Sequence, residues 1–229
     1  MKKELLICSV LSFALFLGFM PSDSYAVDWE YRNIVFVKMP VTEKLSMMFQ
    51  QFDTWGGGHT QSYTELALNY LKKSGVPEVG FAYREYRWGL PGAWTVERRT
   101  AVQAGYSKKL IGLNFVERCK IESRTFDETI KQPGVGTPSN DLRFRNAFEI
   151  VIPLNLTKLE ICPFIGDEFF YSAKKNIIEL NWLYGGLQFK TPINKLSMGV
   201  DVRLQHIRFS ATGAWTTQKS WGTKLFYVF

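Results

Sequence analysis

The chain is poor in the residues on which most recognisable active-site chemistry depends. Among 229 residues there are three cysteines and two histidines. Cys8 sits inside an amino-terminal apolar stretch, and His59 and His206 with Cys119 and Cys162 form no ligand cluster of zinc-site spacing. No metal and no cofactor is expected. Two cysteines are also too few for a disulfide scaffold. In the strand reading below, Cys119 and Cys162 lie on strands separated by a third and at different heights, so bridging should fail on distance, and both are read as unpaired apolar fillers. The GGG run at 56–58 lacks the strand-turn-helix setting of a phosphate-binding loop. Internal repeats, Ser/Gly linkers and low-complexity segments are missing as well. Beyond residue 26 no apolar run approaches the ~20 residues that a membrane-spanning helix needs, which excludes a helical membrane protein for that part.

The amino end has a different character. Lys2 and Lys3 precede an apolar stretch from Leu5 to Met20, and Ser24-Tyr25-Ala26 supplies small residues at the two cleavage-critical positions. This is the pattern of a secretory signal peptide, so 1–26 is expected to be removed and 27–229 to form one domain. Charge is 28 Lys+Arg against 21 Asp+Glu, and aromatics make up 15%. A basic, aromatic-rich chain is compatible with anionic lipid headgroups or anionic solutes. No nucleic-acid partner is expected.

The remaining sequence repeats one theme: an alternating apolar run, a short polar turn, another run, a longer polar loop. Candidate strands fall at about 29–39, 44–54, 62–71, 79–88, 94–106, 110–125, 141–152, 158–171, 177–190, 195–208 and 220–229. The turns PVTE, KKSGVP, SKK, LNLT and TPINK are compact, whereas WGGGHTQ, GLPGA, FDETIKQPGVGTPSN and the stretch around SATGAWTTQ are larger. Short-long alternation is the habit of outer-membrane barrels. Trp55, Trp88, Trp94, Trp215 and Trp221 would flank the long loops and Tyr70, Tyr106, Phe189, Tyr227 and Phe229 the compact ends, giving two aromatic belts. The fold class expected is therefore an all-β antiparallel transmembrane barrel. Eleven runs are counted, but bacterial barrels have even strand numbers, so twelve strands are expected, with ten as the alternative. A soluble periplasmic β-sandwich also alternates and is the competing architecture.

The last nine residues, WGTKLFYVF, place Trp221, Thr223, Leu225, Tyr227 and Phe229 on one face. An aromatic-ended strand of this kind resembles the insertion signal read by the outer-membrane assembly machinery, and it would close the sheet against the first strand.

Charge is concentrated in VERCKIESRTF, where Arg118, Lys120, Glu122 and Arg124 occupy alternate positions, and in DLRFRN, with Arg143 and Arg145. Antiparallel pairing brings these runs together, with Glu97 and Arg99 arriving from the preceding strand. On a lipid face a midplane Arg or Lys costs about 2–4 kcal/mol, so these side chains should point inward. Arg84, Glu168, Asp201 and Arg203, with Glu65 and Glu149, join them on the same reasoning. Glu117 and Glu179 break the alternation, so a bulge or a local register error is expected on their strands.

The pattern R-x-K-x-E-x-R at 118–124, R-x-R at 143–145, the pair Glu168-Phe169 and the terminal aromatic strand resemble the domain of unknown function 2490 family of outer-membrane barrel proteins, over nearly the whole chain after residue 26. In WLYGGLQFK, at 182–190, Trp182 stands where the family pattern would place an arginine. The resemblance implies the barrel but no activity.

Three functional classes follow. The first expectation is a narrow passive pore for small, preferentially anionic solutes, lined by an Arg-rich ring. The second is a closed structural barrel in which guanidiniums and carboxylates pair across the lumen. The third, a barrel lipid hydrolase, would need a His and a Ser side by side. His206 and Ser210 are four residues apart, roughly 13 Å on a strand, so no enzyme activity is expected. The expected setting is the outer membrane of a Gram-negative bacterium, with outer-membrane lipids and the barrel-assembly machinery as partners.

Overall fold

Among the described residues eleven strands run in sequence order round one sheet whose last strand meets its first. The computed structural model describes residues 29–56, 59–70, 77–90, 93–126, 140–154, 160–208 and 212–229. The expected signal peptide and Ser210 lie outside them. The strands are β1 Glu30–Thr42, β2 Leu45–Gly56, β3 His59–Tyr70, β4 Glu78–Leu90, β5 Ala93–Leu110, β6 Leu113–Phe126, β7 Asp141–Val151, β8 Cys162–Ser172, β9 Ile177–Lys190, β10 Leu196–Ile207 and β11 Thr216–Val228.

The expected twelve strands are corrected to eleven. In an up-and-down sheet an odd count leaves the first and last strands pointing the same way, so the barrel can close only through a parallel pair. β1 and β11 form it, from Glu30↔Ser220 to Lys38↔Val228, while every other neighbouring pair is antiparallel. The carboxyl-terminal strand does close the sheet against the first, and no ladder edge is left free. The strands are steeply tilted. A register row through Ile34 runs one way past Phe52, Tyr63, Tyr86 and Glu97 to Phe126 at the long-loop end of β6, and the other way past Lys224, Gly199 and Gln188 to Cys162 at the compact-turn end of β8.

Local chemistry explains the strand ends. β5 and β6 are joined by Ile111 and Gly112, both at positive φ (54° and 81°), the two-residue turn whose twist suits a hairpin. The expected SKK turn is therefore displaced: Ser107, Lys108 and Lys109 are still in β5. Ile111, a β-branched residue in the left-handed region, tolerates the position because its side chain is fully out in solvent. On β9 the register against β8 slips between Phe170 and Tyr171, so Ile177 and Glu179 face inward on one side of the slip and Trp182 and Tyr184 on the other. That is the bulge expected at Glu179. β6 has no such slip, and Glu117 simply faces outward.

Burial alternates with period two on most strands. β3 exposes Thr64, Leu66, Leu68 and Tyr70 and buries Tyr63, Glu65, Ala67 and Asn69. Tyr70, Tyr106, Tyr227 and Phe229 lie toward the compact-turn end, Tyr70 and Tyr106 exposed, with the Tyr227 and Phe229 rings edge-to-face at 4.7 Å. Trp215 and Trp221 are exposed toward the long-loop end. Trp88 corrects the expected belt, since it shares the inward parity of Arg84 and Tyr86. The side chains of Trp55, Trp94 and His59 lie outside the described residues.

Candidate functional site: an ion-paired lumen above a vestibule

The interior is built from a lane of small residues facing a wall of long ones. Ala67, Ala82 and Ala101 are buried neighbours on β3, β4 and β5, and their register row continues into Glu122 and Arg143. Methyl-sized side chains on three adjacent strands leave room for the long side chains of β6 and β7 to reach across. Without that lane the charged groups would collide.

What fills the space is a continuous chain of ion pairs. Glu97 accepts from Arg99 (Nε–Oε1 2.6 Å) and from Arg124 (Nε–Oε1 2.5 Å). Arg124 reaches Glu179 at 3.0 Å, and Glu179 lies 3.5 Å from Arg143. Arg143 donates from Nε to Glu122 at 2.9 Å, Arg145 stands 3.7 Å from the other oxygen of Glu122, and Arg145 then donates to Glu168. The eight members alternate in sign, four of each, and no side chain among them is more than 14% exposed. Aromatic rings complete the packing, with the Arg99 guanidinium 4.7 Å from the Tyr86 ring centre and those of Arg143 and Arg145 4.9 Å from that of Phe170.

Two triads flank this chain. Glu65 takes Arg84 Nε at 2.7 Å and Lys120 Nζ at 2.8 Å. Asp201 takes Arg32 at 3.2 Å, and Lys224 Nζ lies 3.5 Å away. The Arg32–Asp201 contact joins β1 to β10 across β11, so a buried charge pair spans the parallel closure.

All twelve residues expected in the lumen point into it: Arg84, Glu97, Arg99, Arg118, Lys120, Glu122, Arg124, Arg143, Arg145, Glu168, Asp201 and Arg203. They do not share one environment. Lumenal Arg118, paired loosely with Glu149 at 3.8 Å, is 55% exposed, whereas Glu97 is 1% and Arg143 is 4% exposed. Water therefore reaches the lumen from the compact-turn end and is shut out further along. A cavity of about 660 Å³ occupies this wetter half, bordered by Lys38 and Phe226 near its mouth and by Arg84, Arg145 and Trp182 at its floor.

Sequence reasoning did not place Arg32, Lys224, Tyr63 or Tyr184 in the lumen. The alternation on β11 carried the signal for Lys224, which shares its face with Gly222. Gly222 sits so close to Arg32 that a Cβ there would lie 2.8 Å from the Arg32 Cβ. The expected arginine gap at Trp182 is filled from the neighbouring strand: the Arg203 guanidinium lies 4.1 Å from the Trp182 ring centre.

The outward face carries a surprise at mid-height. Asn146 and Asp167 are the central residues of β7 and β8, and both face outward. Asn146 donates to Glu117 at 3.1 Å and lies 2.9 Å from Cys119 Sγ, while Asn181 donates to Asp167 at 2.7 Å. Cys119 and Cys162 are both free thiols on strands separated by β7. Cys119 is exposed among polar groups, which corrects the reading of it as an apolar filler. His206 meets Thr217 at 3.0 Å.

These features define a class: a small, closed, all-β barrel whose interior is occupied by largely ion-paired charge. Within that class the chain belongs to the family described as protein of unknown function (DUF2490), whose profile matches residues 24–217. The match stops inside β11, so most of the closing aromatic strand lies beyond it. No curated protein and no solved structure matches the chain.

Proposed function

We propose that the protein is an exported outer-membrane barrel with a non-conducting lumen, the closed-barrel alternative in preference to the narrow anion pore. The observation that carries this reading is the unbroken chain from Arg99 to Glu168. A passing ion would have to displace members that are already neutralised and almost wholly buried, and breaking such a pair strands a charge at low dielectric. A conducting ring would leave its charges hydrated and facing the solute path. The membrane setting is supported by the outward residues Leu66, Phe81, Val102, Ile121, Phe144 and Val200, all well exposed or nearly so around the barrel. It is supported too by the absence of a free sheet edge and by the aromatic closing strand, Trp221 to Phe229, as an assembly signal. In this reading residues 1–26 direct export and the protein performs no hydrolysis.

The test is reconstitution in planar bilayers. Wild-type protein should give no discrete conductance steps, while Glu122→Ala with Arg143→Ala, which empties the centre of the chain, should give them. Anion-selective steps from the wild type would restore the pore reading and overturn this one.

A further inference from the structure

We propose that the vestibule binds the anionic headgroup of a medium-chain amphiphile, a carboxylate or phosphate monoester on an alkyl tail. The inference rests on the reading that the lumen is closed beyond the vestibule floor. Charge is the first argument. The eight-membered chain is balanced, but the Glu65 and Asp201 triads each hold two cations to one carboxylate. Arg203 adds a guanidinium with no ion-pair partner among the described residues and with Nε buried and unbonded. The surplus gathers where Arg84, Lys120, Arg203 and Lys224 border the cavity.

The second argument is unanswered donors. Trp182 Nε1, Tyr184 Oη and Arg203 Nε are buried without hydrogen-bond partners, and all three residues line the cavity. They are one cluster: Tyr184 pairs directly with Arg203 across β9 and β10, and the Arg203 and Lys224 cations each lie 5.6 Å from the Tyr184 ring centre. Tyr184 and Arg203 are themselves more than nine-tenths buried. Buried donors without acceptors are uncommon unless something else supplies the acceptor. An oxyanion offers several lone pairs to such a cluster at once. A neutral lipid would leave the cationic surplus uncompensated, and a metal cation would add to it.

The third argument is the opposite wall. Ile34 and Phe36 of β1, Met48 of β2 and Phe226 of β11 form an apolar strip along the same cavity toward its mouth. A bare inorganic anion has no use for that strip. A headgroup against Arg203 with a tail along β1, β2 and β11 uses both walls.

The test is calorimetric titration of the full chain, refolded in a neutral detergent, with octanoate, octyl phosphate, 1-octanol and inorganic phosphate. One of the two anionic amphiphiles should bind saturably at one site, at least tenfold tighter than octanol or inorganic phosphate, and whichever is tighter names the headgroup. Arg203→Gln should weaken that binding at least tenfold while keeping its fast unboiled gel mobility, and Arg87→Gln, an exposed outer-face variant, should leave it unchanged. Octanol or inorganic phosphate binding as tightly, or Arg203→Gln binding like wild type, overturns the proposal. The same samples go into planar bilayers: a silent barrel that binds neither amphiphile defeats this inference alone, whereas a conducting one defeats the closed-lumen reading beneath it.

Discussion

Glu97→Gln is the sharpest probe of the interior. The carboxylate is 1% exposed and accepts four hydrogen bonds, from Arg99 at 2.6 and 2.9 Å and from Arg124 at 2.5 and 3.4 Å. Glutamine has the same shape but one acceptor oxygen. Its amide NH₂ would face guanidinium N–H groups, turning the two bonds on that side into donor–donor contacts. One negative charge would vanish between two cations, and Arg124 would keep its ion pair with Glu179 at 3.0 Å. Breaking a buried pair by neutralising one partner costs about 3–5 kcal/mol. Equilibrium unfolding by urea of the barrel in lipid vesicles, followed by tryptophan fluorescence and gel mobility, should show that loss as a lower midpoint at unchanged slope. The double variant Glu97→Gln with Arg99→Gln should lose less than the two single losses combined, by about 1–2 kcal/mol, because one stranded charge is removed with its partner. A loss below about 1 kcal/mol for Glu97→Gln would mean that hydration, not pairing, stabilises the lumenal charges, and the closed reading would lose its basis.

Other outcomes test the architecture and its setting. With Cys119 and Cys162 replaced by serine, Val35→Cys and Leu225→Cys, direct partners across the parallel closure, should crosslink with a short bifunctional reagent, whereas Val35→Cys with Trp221→Cys should not; the reverse result would put the closure out of register. Cys119, exposed at mid-strand on the outer face, should be shielded from a charged maleimide in vesicles and reached by a lipid-soluble one. Equal labelling by both would place that face in water and remove the membrane reading. Gly186→Ala should prevent the compact unboiled form, because a Cβ there would clash with the Val200 carbonyl oxygen and lie 2.8 Å from Asp201 Cα, both on the paired strand; normal mobility would show that β9 and β10 can slip.

Much of the fold was legible because a strand writes its two faces into alternate residues. Arg118, Lys120, Glu122 and Arg124 could be assigned to the lumen from spacing alone, and the disturbance at Glu179 correctly announced a bulge. Parity did not foresee the polar groups on the outer face, where Glu117 accepts from Asn146 and Asp167 accepts from Asn181. The strand count failed for another reason: the even-number rule concerns how barrels usually close, and nothing local in β1 or β11 announces a parallel partner.

The sequence by itself determined the strands, most of their faces and the identity of the charges that had to be hidden, since all of these depend on neighbours one to four positions apart. Tertiary structure decided which charge meets which. Glu97 shares a strand with Arg99 but also takes Arg124 from β6, and Glu65 on β3 reaches Lys120 two strands beyond its neighbour β4. Those meetings depend on the tilt and closure of the whole sheet, which add up over every inter-strand register and are encoded in no single segment. The same closure separates buried charges such as Glu97 and Arg143 from the solvent-exposed Arg118, a distinction that identical arginines and glutamates at identical spacing could not convey.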